Sequence, residues 1–261
     1  SGTTTLSATG DIVATGASAV SFGATRAGTL STGADVTTAA GTVTFNRAVS
    51  LTGPVLVSTG AGAGDILFNG AITNASAQSL GLTAGTGSVK LGGVVGSGTA
   101  LGAITITSAL NVSGDLVAGA DAASITAASL TQTAGTGTTR LGAVTTTGAV
   151  SLTGVNTVLN AAVAADGGFS SAGTGSFISA AGGTVTTTLT NPISITRTTG
   201  AGSIAVGGVL TTVSTGAVTL DSAGSTVGVT AQISTVSGTV LIDSSGTTTL
   251  SATGDIVATG A

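Results

Sequence analysis

The sequence of 261 residues has no cysteine, methionine, tryptophan, tyrosine, histidine or glutamate. Without cysteine, the chain cannot form a disulfide framework. Without histidine and cysteine, it can form neither a Ser-His-Asp triad nor a thiol nucleophile, and zinc sites of the usual kinds are excluded as well. Composition alone therefore removes most of the side chains on which enzyme catalysis depends.

Charged side chains are also scarce. Nine aspartates and five cations make up 5% of the chain, against about 25% in ordinary domains. The net charge is −4 and the few lysine and arginine residues are scattered, which excludes a nucleic-acid-binding surface. No apolar run reaches the roughly 18 residues that a transmembrane helix needs. We therefore expect no nucleic-acid partner and no insertion into a membrane.

What remains is mostly glycine, alanine, threonine, serine, valine, leucine and isoleucine, and the chain is 41% hydrophobic. Helix-forming residues such as glutamate, lysine and methionine are absent or rare, whereas valine, isoleucine and threonine favour strands. The 44 glycines follow no collagen period, and the apolar content is too high for a disordered linker. These features predict an all-β protein with a buried core.

The most informative feature is an internal repeat. Residues 1–17 read SGTTTLSATGDIVATGA and recur without a change as residues 245–261. Chance does not produce such a match, and the simplest interpretation is a chain that repeats itself. On this interpretation residues 1–244 are one full repeat period, and residues 245–261 are the start of the next identical repeat.

Short strand-like pieces recur within this period, each opened by glycine. GTVTF (41–45), GDILF (64–68) and GSVKL (87–91) follow one another at equal intervals. The second and fourth residues after each glycine are apolar, which is the alternation of a strand with one buried face. AGTGSVKLG (84–92) returns in similar form further along the chain as AGTGTTRLG (134–142). The basic unit therefore has roughly 22 to 25 residues, a period typical of solenoids.

We therefore predict a parallel β-solenoid (β-helix) of about ten to eleven coils, which stacks end to end with further repeats. A coil of this length cannot bury its own apolar face, whereas a stack of coils can. Stacking predicts two ladders of inward side chains: Phe45, Phe68 and Leu91, and Val43, Ile66 and Val89. An array of β-sandwiches is the alternative, because short strands with turns also suit that fold.

The chain offers few candidates for chemistry. Paired carboxylates could act in glycoside hydrolysis, and Asp115 and Asp121 could approach each other, but we interpret both as solvated turn residues. GAGAGDILF (60–68) resembles a calcium-binding nonapeptide, yet it lacks the fourth-position glycine and occurs once, so we interpret it as a turn and a strand. Lys90 and Arg140 share one outward position in related coils. They are either lone solvated cations, which we favour, or a basic spot for a neighbouring chain's aspartate.

We predict that the protein is not an enzyme, with no catalytic, cofactor-binding or metal-binding residues and no cofactor. Its outer surface would carry many threonine, alanine and valine side chains and few charges, which leaves little to oppose lateral contact. Thr-x-Thr pairs occur without the constant register of an ice-binding face, so we interpret the threonines as strand residues. We therefore expect the chain to pack against copies of itself.

The segments LTAGTGSVKLGGVVGSGTALGAITIT (82–107) and TTTGAVSLTG (145–154) resemble the β-strand repeats of filamentous-haemagglutinin-like giant surface proteins, a group of adhesins. The resemblance is one of texture over nearly the whole chain: rich in glycine, threonine and valine, poor in charge and free of cysteine. It implies secreted, very long β-helical stalks that serve in adhesion, cell–cell contact or extracellular coats. It brings no catalytic residues with it.

Together these features predict a structural repeat segment of an extracellular filament or adhesin stalk that self-associates into a fibre. We expect the protein to be secreted and to lie outside the cell or on its surface. Its expected partners are copies of itself, joined end to end and packed side by side, with a cell surface as a further candidate. The alternative is a surface-exposed binding stalk that recognises a glycan, another cell or ice.

Overall fold

The computed structural model describes residues 2–23, 28–117, 119–223 and 225–259. Within these ranges all regular secondary structure is β-strand, and no helix is present that could cross a membrane. The chain forms two compact units, residues 1–140 and residues 141–261, which are described in turn. Residues 1, 260 and 261 of the predicted repeat segments lie outside the described ranges.

The first unit consists of short strands separated by turns. Most of these strands have three or four residues, which is the length of one side of a coil. Their bounds are β1 (Thr4–Leu6), β2 (Ile12–Ala14), β3 (Val20–Phe22), β4 (Leu30–Thr32), β5 (Val36–Thr38), β6 (Val43–Phe45), β7 (Val49–Leu51), β8 (Val55–Ser58), β9 (Ile66–Phe68), β10 (Ile72–Asn74), β11 (Leu80–Thr83), β12 (Val89–Leu91), β13 (Leu101–Ser108), β14 (Val112–Ser113), β15 (Ile125–Gln132) and β16 (Thr138–Leu141).

Each of these strands pairs in parallel with its counterpart one coil away. The first sheet has the order β1-β4-β7-β10, and the second has the order β2-β5-β8-β11-β13-β15. The third sheet within this unit has the order β3-β6-β9-β12-β14-β16. Five of its residues are successive register partners at equal intervals along the chain: Val20, Val43, Ile66, Val89 and Val112.

The core of the first unit is made of inward side chains that stack like on like. Phe22, Phe45 and Phe68 are register partners in successive coils. Their rings are nearly parallel, with centroids 4.9 Å apart in the first pair and 4.5 Å apart in the second. The predicted ladders from Phe45 to Leu91 and from Val43 to Val89 are both confirmed, and their members are buried. Phe22 extends the first ladder by one coil.

Glycine opens these strands because there is no room for a side chain. A Cβ atom on Gly64 would meet the carbonyl oxygen of Gly41, one coil away, and a Cβ atom on Gly87 would meet that of Gly64. Gly41, Gly64 and Gly87 do not have a positive φ. The close approach of successive coils, rather than a left-handed backbone, therefore requires glycine at these positions.

The second unit repeats the same design. Its strands are somewhat longer on one side of the coil, where several have five residues. Their bounds are β17 (Val144–Thr146), β18 (Val150–Gly154), β19 (Asn156–Leu159), β20 (Val163–Ala165), β21 (Phe169–Gly173), β22 (Phe177–Ser179), β23 (Val185–Thr187), β24 (Ile193–Arg197), β25 (Ile204–Val206), β26 (Leu210–Thr212), β27 (Val218–Ser222), β28 (Val227–Val229), β29 (Ile233–Thr235), β30 (Val240–Ser244), β31 (Thr248–Leu250) and β32 (Ile256–Ala258).

Three parallel sheets again form the sides of the coil in this unit. Their orders are β17-β20-β23-β26-β29-β32, β18-β21-β24-β27-β30 and β19-β22-β25-β28-β31. The length of a coil varies: the coil from Val150 to its partner Phe169 is shorter than the coil from Ile193 to its partner Val218. Inward aliphatic side chains such as Ile193 and Val218 are completely buried.

The predicted fold class is confirmed: the chain is an all-β parallel β-solenoid of about eleven turns, with six in the first unit and five in the second. The parallel pairing of neighbouring coils excludes the sandwich alternative, whose sheets are antiparallel. The expected range of roughly 22 to 25 residues per coil was too narrow. The coil from Val150 to Phe169 is shorter than this range and the coil from Val112 to Thr139 is longer, because the turns absorb insertions and deletions between the strands.

We predict that Gly64→Ala lowers the free energy of unfolding by about 1–3 kcal/mol, because the new methyl group collides with the backbone of the preceding coil. The matched control is Gly228→Ala, since a Cβ atom at Gly228 in β28 has nothing within 4 Å. This control should leave the stability unchanged or raise it by up to about 1 kcal/mol. Urea denaturation followed by circular dichroism measures both. Equal effects at the two positions would contradict the proposed reason for the glycine.

Candidate functional site

The aspartates that open strands hold neighbouring coils together. Asp11 Oδ1 accepts a hydrogen bond of 2.9 Å from the backbone N–H of Asp35 in the next coil. Asp35 Oδ1 accepts one of 2.8 Å from Leu56, and Asp65 Oδ1 accepts one of 2.7 Å from Ser88. These carboxylates therefore act between coils, not merely within a turn. Asp65 of the segment GAGAGDILF (60–68) has this structural role.

The first unit has a polar groove beside the turn that follows β14. Its volume is about 390 Å³, and it is open to solvent. It lies where one coil is enlarged, between Val112 and its register partner Thr139. The polar groove is lined by side chains from two neighbouring coils, among them Asn111, Ser113, Asp115, Leu116, Thr138 and Arg140.

An ion pair forms one part of the polar groove. Arg140 Nε lies 3.8 Å from Asp121 Oδ1, and each side chain is about one-third exposed. Two expectations are therefore wrong: Asp121 is not a solvated turn residue, and Arg140 is not a lone solvated cation. At this exposure the pair contributes little to stability, about 0–1 kcal/mol, and it holds the guanidinium at the edge of the polar groove.

The remaining polar groups of the groove are held by the local backbone. Asp115 Oδ1 accepts a hydrogen bond of 2.8 Å from the N–H of Val117, as expected of a turn residue. Asn111 Oδ1 accepts one of 2.9 Å from the N–H of Thr138, one coil away. The groove thus offers a fixed set of amide, hydroxyl, carboxylate and guanidinium groups that suit hydrogen bonding to a polar, hydroxylated ligand.

Chemistry beyond hydrogen bonding has little support in this arrangement. Asp115 is the carboxylate that lines the polar groove, while Asp121 is engaged with Arg140. In the part of the chain that the structure describes, no three aspartate, glutamate, histidine or cysteine side chains lie close enough together to hold a metal ion. The groove is therefore a candidate binding site.

Lys90 and Arg140 do share one outward column, as predicted. Lys90 is the register partner of Ser113, and Val112 is the partner of Thr139, so Arg140 lies one coil beyond Ser113 in that column. The residues on either side of Lys90 and Arg140 are buried, and both cations are half-buried. The two differ in their partners, since Arg140 is paired with Asp121 and Lys90 forms no ion pair with any residue that the structure describes.

The second unit has a column of outward hydroxyl groups that the sequence did not predict. Register places four outward residues in one column, and Ser170 Oγ donates a hydrogen bond of 3.0 Å to Ser151 Oγ within it. The intervals along the chain are unequal, so no fixed period reveals the column. In each coil, the member of this column is the polar residue that lies between two buried residues of the strand. Its members are Ser151, Ser170, Ser194 and Thr219.

The second unit also buries a cation that the strand pattern did not predict. Arg197 is the largest completely buried side chain among the described residues. It ends β24 on the inward side, where its register partners are the small residues Gly173 and Ser222. Its Cζ atom lies 5.6 Å from the ring centroid of Phe177. A side chain on Gly173 would meet this guanidinium, so the glycine makes room for it.

The buried guanidinium is poorly compensated. Arg197 Nη2 donates to Ser171 Oγ at 2.7 Å, whereas Nε and Nη1 have no hydrogen-bond partner among the described residues. Desolvation by burial lowers the pKa of Arg197 from its ordinary value to about 10, so the group remains charged at neutral pH. A shift of this size corresponds to about 3 kcal/mol against the folded state. The contact with Phe177 offsets only a part of that cost.

Comparison of the chain with protein-family models, with curated proteins and with solved structures finds no match. The assignment of a function therefore depends on the geometry of the chain itself. That geometry comprises the polar groove, the column of hydroxyl groups, the buried Arg197 and the strand pairing of the two copies of the repeated segment.

We predict that Arg197→Met raises the free energy of unfolding by about 1–4 kcal/mol, because it removes an uncompensated buried charge and keeps most of the side-chain volume. The matched control is Arg47→Met. Arg47 is partly exposed and donates to Gly23 O and Thr4 Oγ1, so its loss should lower the stability. Thermal and denaturant unfolding measure both variants. A destabilised Arg197→Met protein would show that the charge is compensated after all.

Proposed function

We propose that the chain is a structural repeat segment of an extracellular filament or adhesin stalk, formed by end-to-end stacking of identical repeats. The observation that carries this proposal is the pairing of the repeated segment. Among the described residues, one copy of the segment pairs with the coil that follows it, and the other copy pairs with the coil that precedes it. The two copies thus supply the two halves of one continuous ladder.

The copy near the start of the chain has its partners on one side. Thr4 to Leu6 are in register with residues 30–32, and Ile12 is in register with Val36. The N–H of Ile12 donates to Asp35 O at 2.9 Å. The other edges of β1 and β2 have no paired strand among the described residues.

The second copy has its partners on the opposite side. Residues 248–250 are in register with Val227 to Val229, and Ile256 is in register with Ile233. The N–H of Ile233 donates to Asp255 O at 2.8 Å. Leu250 is 44% exposed and Ile256 is 45% exposed, whereas Val227 and Ile233 in the preceding coil are completely buried. A further coil stacked on this edge would cover both exposed side chains.

The local structure of the segment supports the continuation. Gly10 N donates to Ser7 O at 2.8 Å in the first copy, and Gly254 N donates to Ser251 O at 2.9 Å in the second. The same residues therefore form the same turn in both places. Asp255 corresponds in sequence to Asp11, whose carboxylate binds the N–H of the next coil. In a continued stack, Asp255 would make that same bond to the adjoining repeat.

Extracellular use is supported by composition and by the resemblance to filamentous-haemagglutinin-like surface proteins. A stack of coils that carries few charges and no thiol or thioether offers little to oxidise and little to titrate. Its in-register ladders would give the stalk its length and stiffness. The mechanism is therefore mechanical: each repeat extends the stalk and is stabilised by its two neighbours.

A second candidate function, binding of a glycan, is supported by the polar groove. The groove presents hydroxyl, amide, carboxylate and guanidinium groups in about 390 Å³ of open space. None of the described side chains that line it is aromatic, so a sugar ring would find hydrogen bonds but no stacking platform among them. For this reason we place the structural function first.

To test stacking, we predict that Leu250→Lys with Ile256→Lys abolishes filaments, because two charges would be buried at the junction. Both side chains are already exposed in the single chain, so the variant should still fold. The matched control is Val213→Lys, a residue 48% exposed and outside the repeated segment. Sedimentation and electron microscopy distinguish filaments from short particles. Discrete particles of the unaltered chain under all conditions would contradict end-to-end stacking.

To test the second candidate, Arg140→Ala should weaken binding of a soluble polysaccharide to the chain by roughly ten-fold, about 1.4 kcal/mol. The loss of the guanidinium removes the charged donor at the edge of the polar groove together with its ion pair to Asp121. Arg47→Ala is the control, since Arg47 lies outside the groove. Calorimetric titration measures both. Absence of binding to any polysaccharide tested would remove the groove from consideration as a glycan site.

A further inference from the structure

Two carboxylates lie one above the other on the outward side of the second unit. In the ladder between β27 and β30, Asp221 is the register partner of Asp243. Neighbouring parallel strands lie about 4.8 Å apart, and like charges directly opposite each other destabilise a sheet. The described residues provide no ion pair to either carboxylate. The chain therefore retains a repulsion that it does not offset itself.

An exposed leucine lies beside these carboxylates. Leu241 is on β30, two residues before Asp243 and on the same outward side, and it is 54% exposed. We call Asp221, Leu241 and Asp243 the acidic face. It combines a double negative charge with an apolar side chain, and nothing within its own ladders covers it.

The first unit carries a matching cation. Arg140 is paired with Asp121, Arg47 donates to backbone and hydroxyl oxygens, and Arg197 is buried. Among the described cations, Lys90 alone makes no hydrogen bond and no ion pair.

Lys90 also has a leucine beside it. Lys90 lies in an outward column between its register partners Leu67 and Ser113. We call Leu67, Lys90 and Ser113 the basic face. The basic face combines the charge of Lys90 with Leu67 of the neighbouring coil. The acidic face likewise combines its two charges with Leu241.

We propose that the basic face of one copy docks on the acidic face of a second copy, with the Lys90 ammonium between the carboxylates of Asp221 and Asp243. An ammonium has three donors and can bind both carboxylates at once. Because both faces belong to parallel ladders with the same spacing of about 4.8 Å, adjacent copies can pair without a mismatch along the stack.

This inference rests on the proposed filament function and adds how filaments join side by side. The two faces differ, so each copy has one of each kind, and the contact between copies is heterologous. A heterologous contact can add one copy after another, so we expect bundles. One exposed ion pair is weak, but a filament repeats the contact along its whole length, and the effective affinity rises with the number of repeats.

The test is charge exchange in the full chain after filaments have formed. Lys90→Asp should raise the protein concentration at which bundles pellet at low speed by roughly ten-fold, while single filaments still pellet at high speed. Combining Lys90→Asp with Asp221→Lys and Asp243→Lys should restore bundling, because the charges are then exchanged between the two faces. High salt should disperse the bundles of the unaltered chain, since exposed pairs are screened.

The matched control adds the same net charge elsewhere. Thr186→Asp with Thr211→Asp also makes the chain more negative by two units, and these residues are outward register partners on β23 and β26. This control should bundle as the unaltered chain does. Equal dispersal by the control, failure of the exchanged variant to bundle, or bundling that needs a divalent cation and ignores Lys90→Asp would each overturn the lateral contact.

Failure of the filament itself has a different signature. If the unaltered chain forms no filaments, the proposed function fails, and lateral docking is then measured on the single chain by sedimentation velocity at low salt. A salt-sensitive dimer that Lys90→Asp abolishes and the exchanged variant restores would support the lateral contact alone. A monomer at all concentrations, in the unaltered chain and in every variant, would overturn it as well.

Discussion

The stacking of coil on coil is the constraint on which the rest of this structure depends. A strand of three residues has no stability of its own; its backbone partners and its apolar cover both come from the neighbouring coils. Because pairing is parallel and in register, equivalent residues lie above one another. That explains the parallel rings of Phe45 and Phe68. It also explains why Gly64 must be small and why the Asp65 carboxylate binds the next coil.

The same constraint determines what the chain leaves unsatisfied. Strands in the middle of a sheet are paired on both edges, whereas the outermost strand is paired on one edge. Among the described residues, the strands of the two copies of the repeated segment are such outermost strands. Along the sides, register also stacks like charges, as at Asp221 and Asp243. The proposed end-to-end stacking and the proposed lateral pairing are therefore explained by one geometry. Arg197 is the exception, because it introduces a charge where the ladder would otherwise be filled by small residues.

The sequence predicted the ladders best where the coils have equal length. The even spacing of Val43, Ile66 and Val89 is visible by inspection and was confirmed. Where turns change length, the period disappears, and the hydroxyl column that includes Ser151 could not be predicted although each strand in it could. The ion pair of Arg140 was missed for a related reason, since the enlarged coil alone brings Asp121 to it. Single strands are local, whereas columns depend on every turn between them.

The most direct test of the central claim is cryo-electron microscopy of filaments assembled from the full chain. The account predicts strands spaced by about 4.8 Å without interruption across each junction, with residues 245–259 of one copy covered by the first coil of the next. A gap in the strand spacing at every junction, or particles that never exceed a single chain, would contradict it.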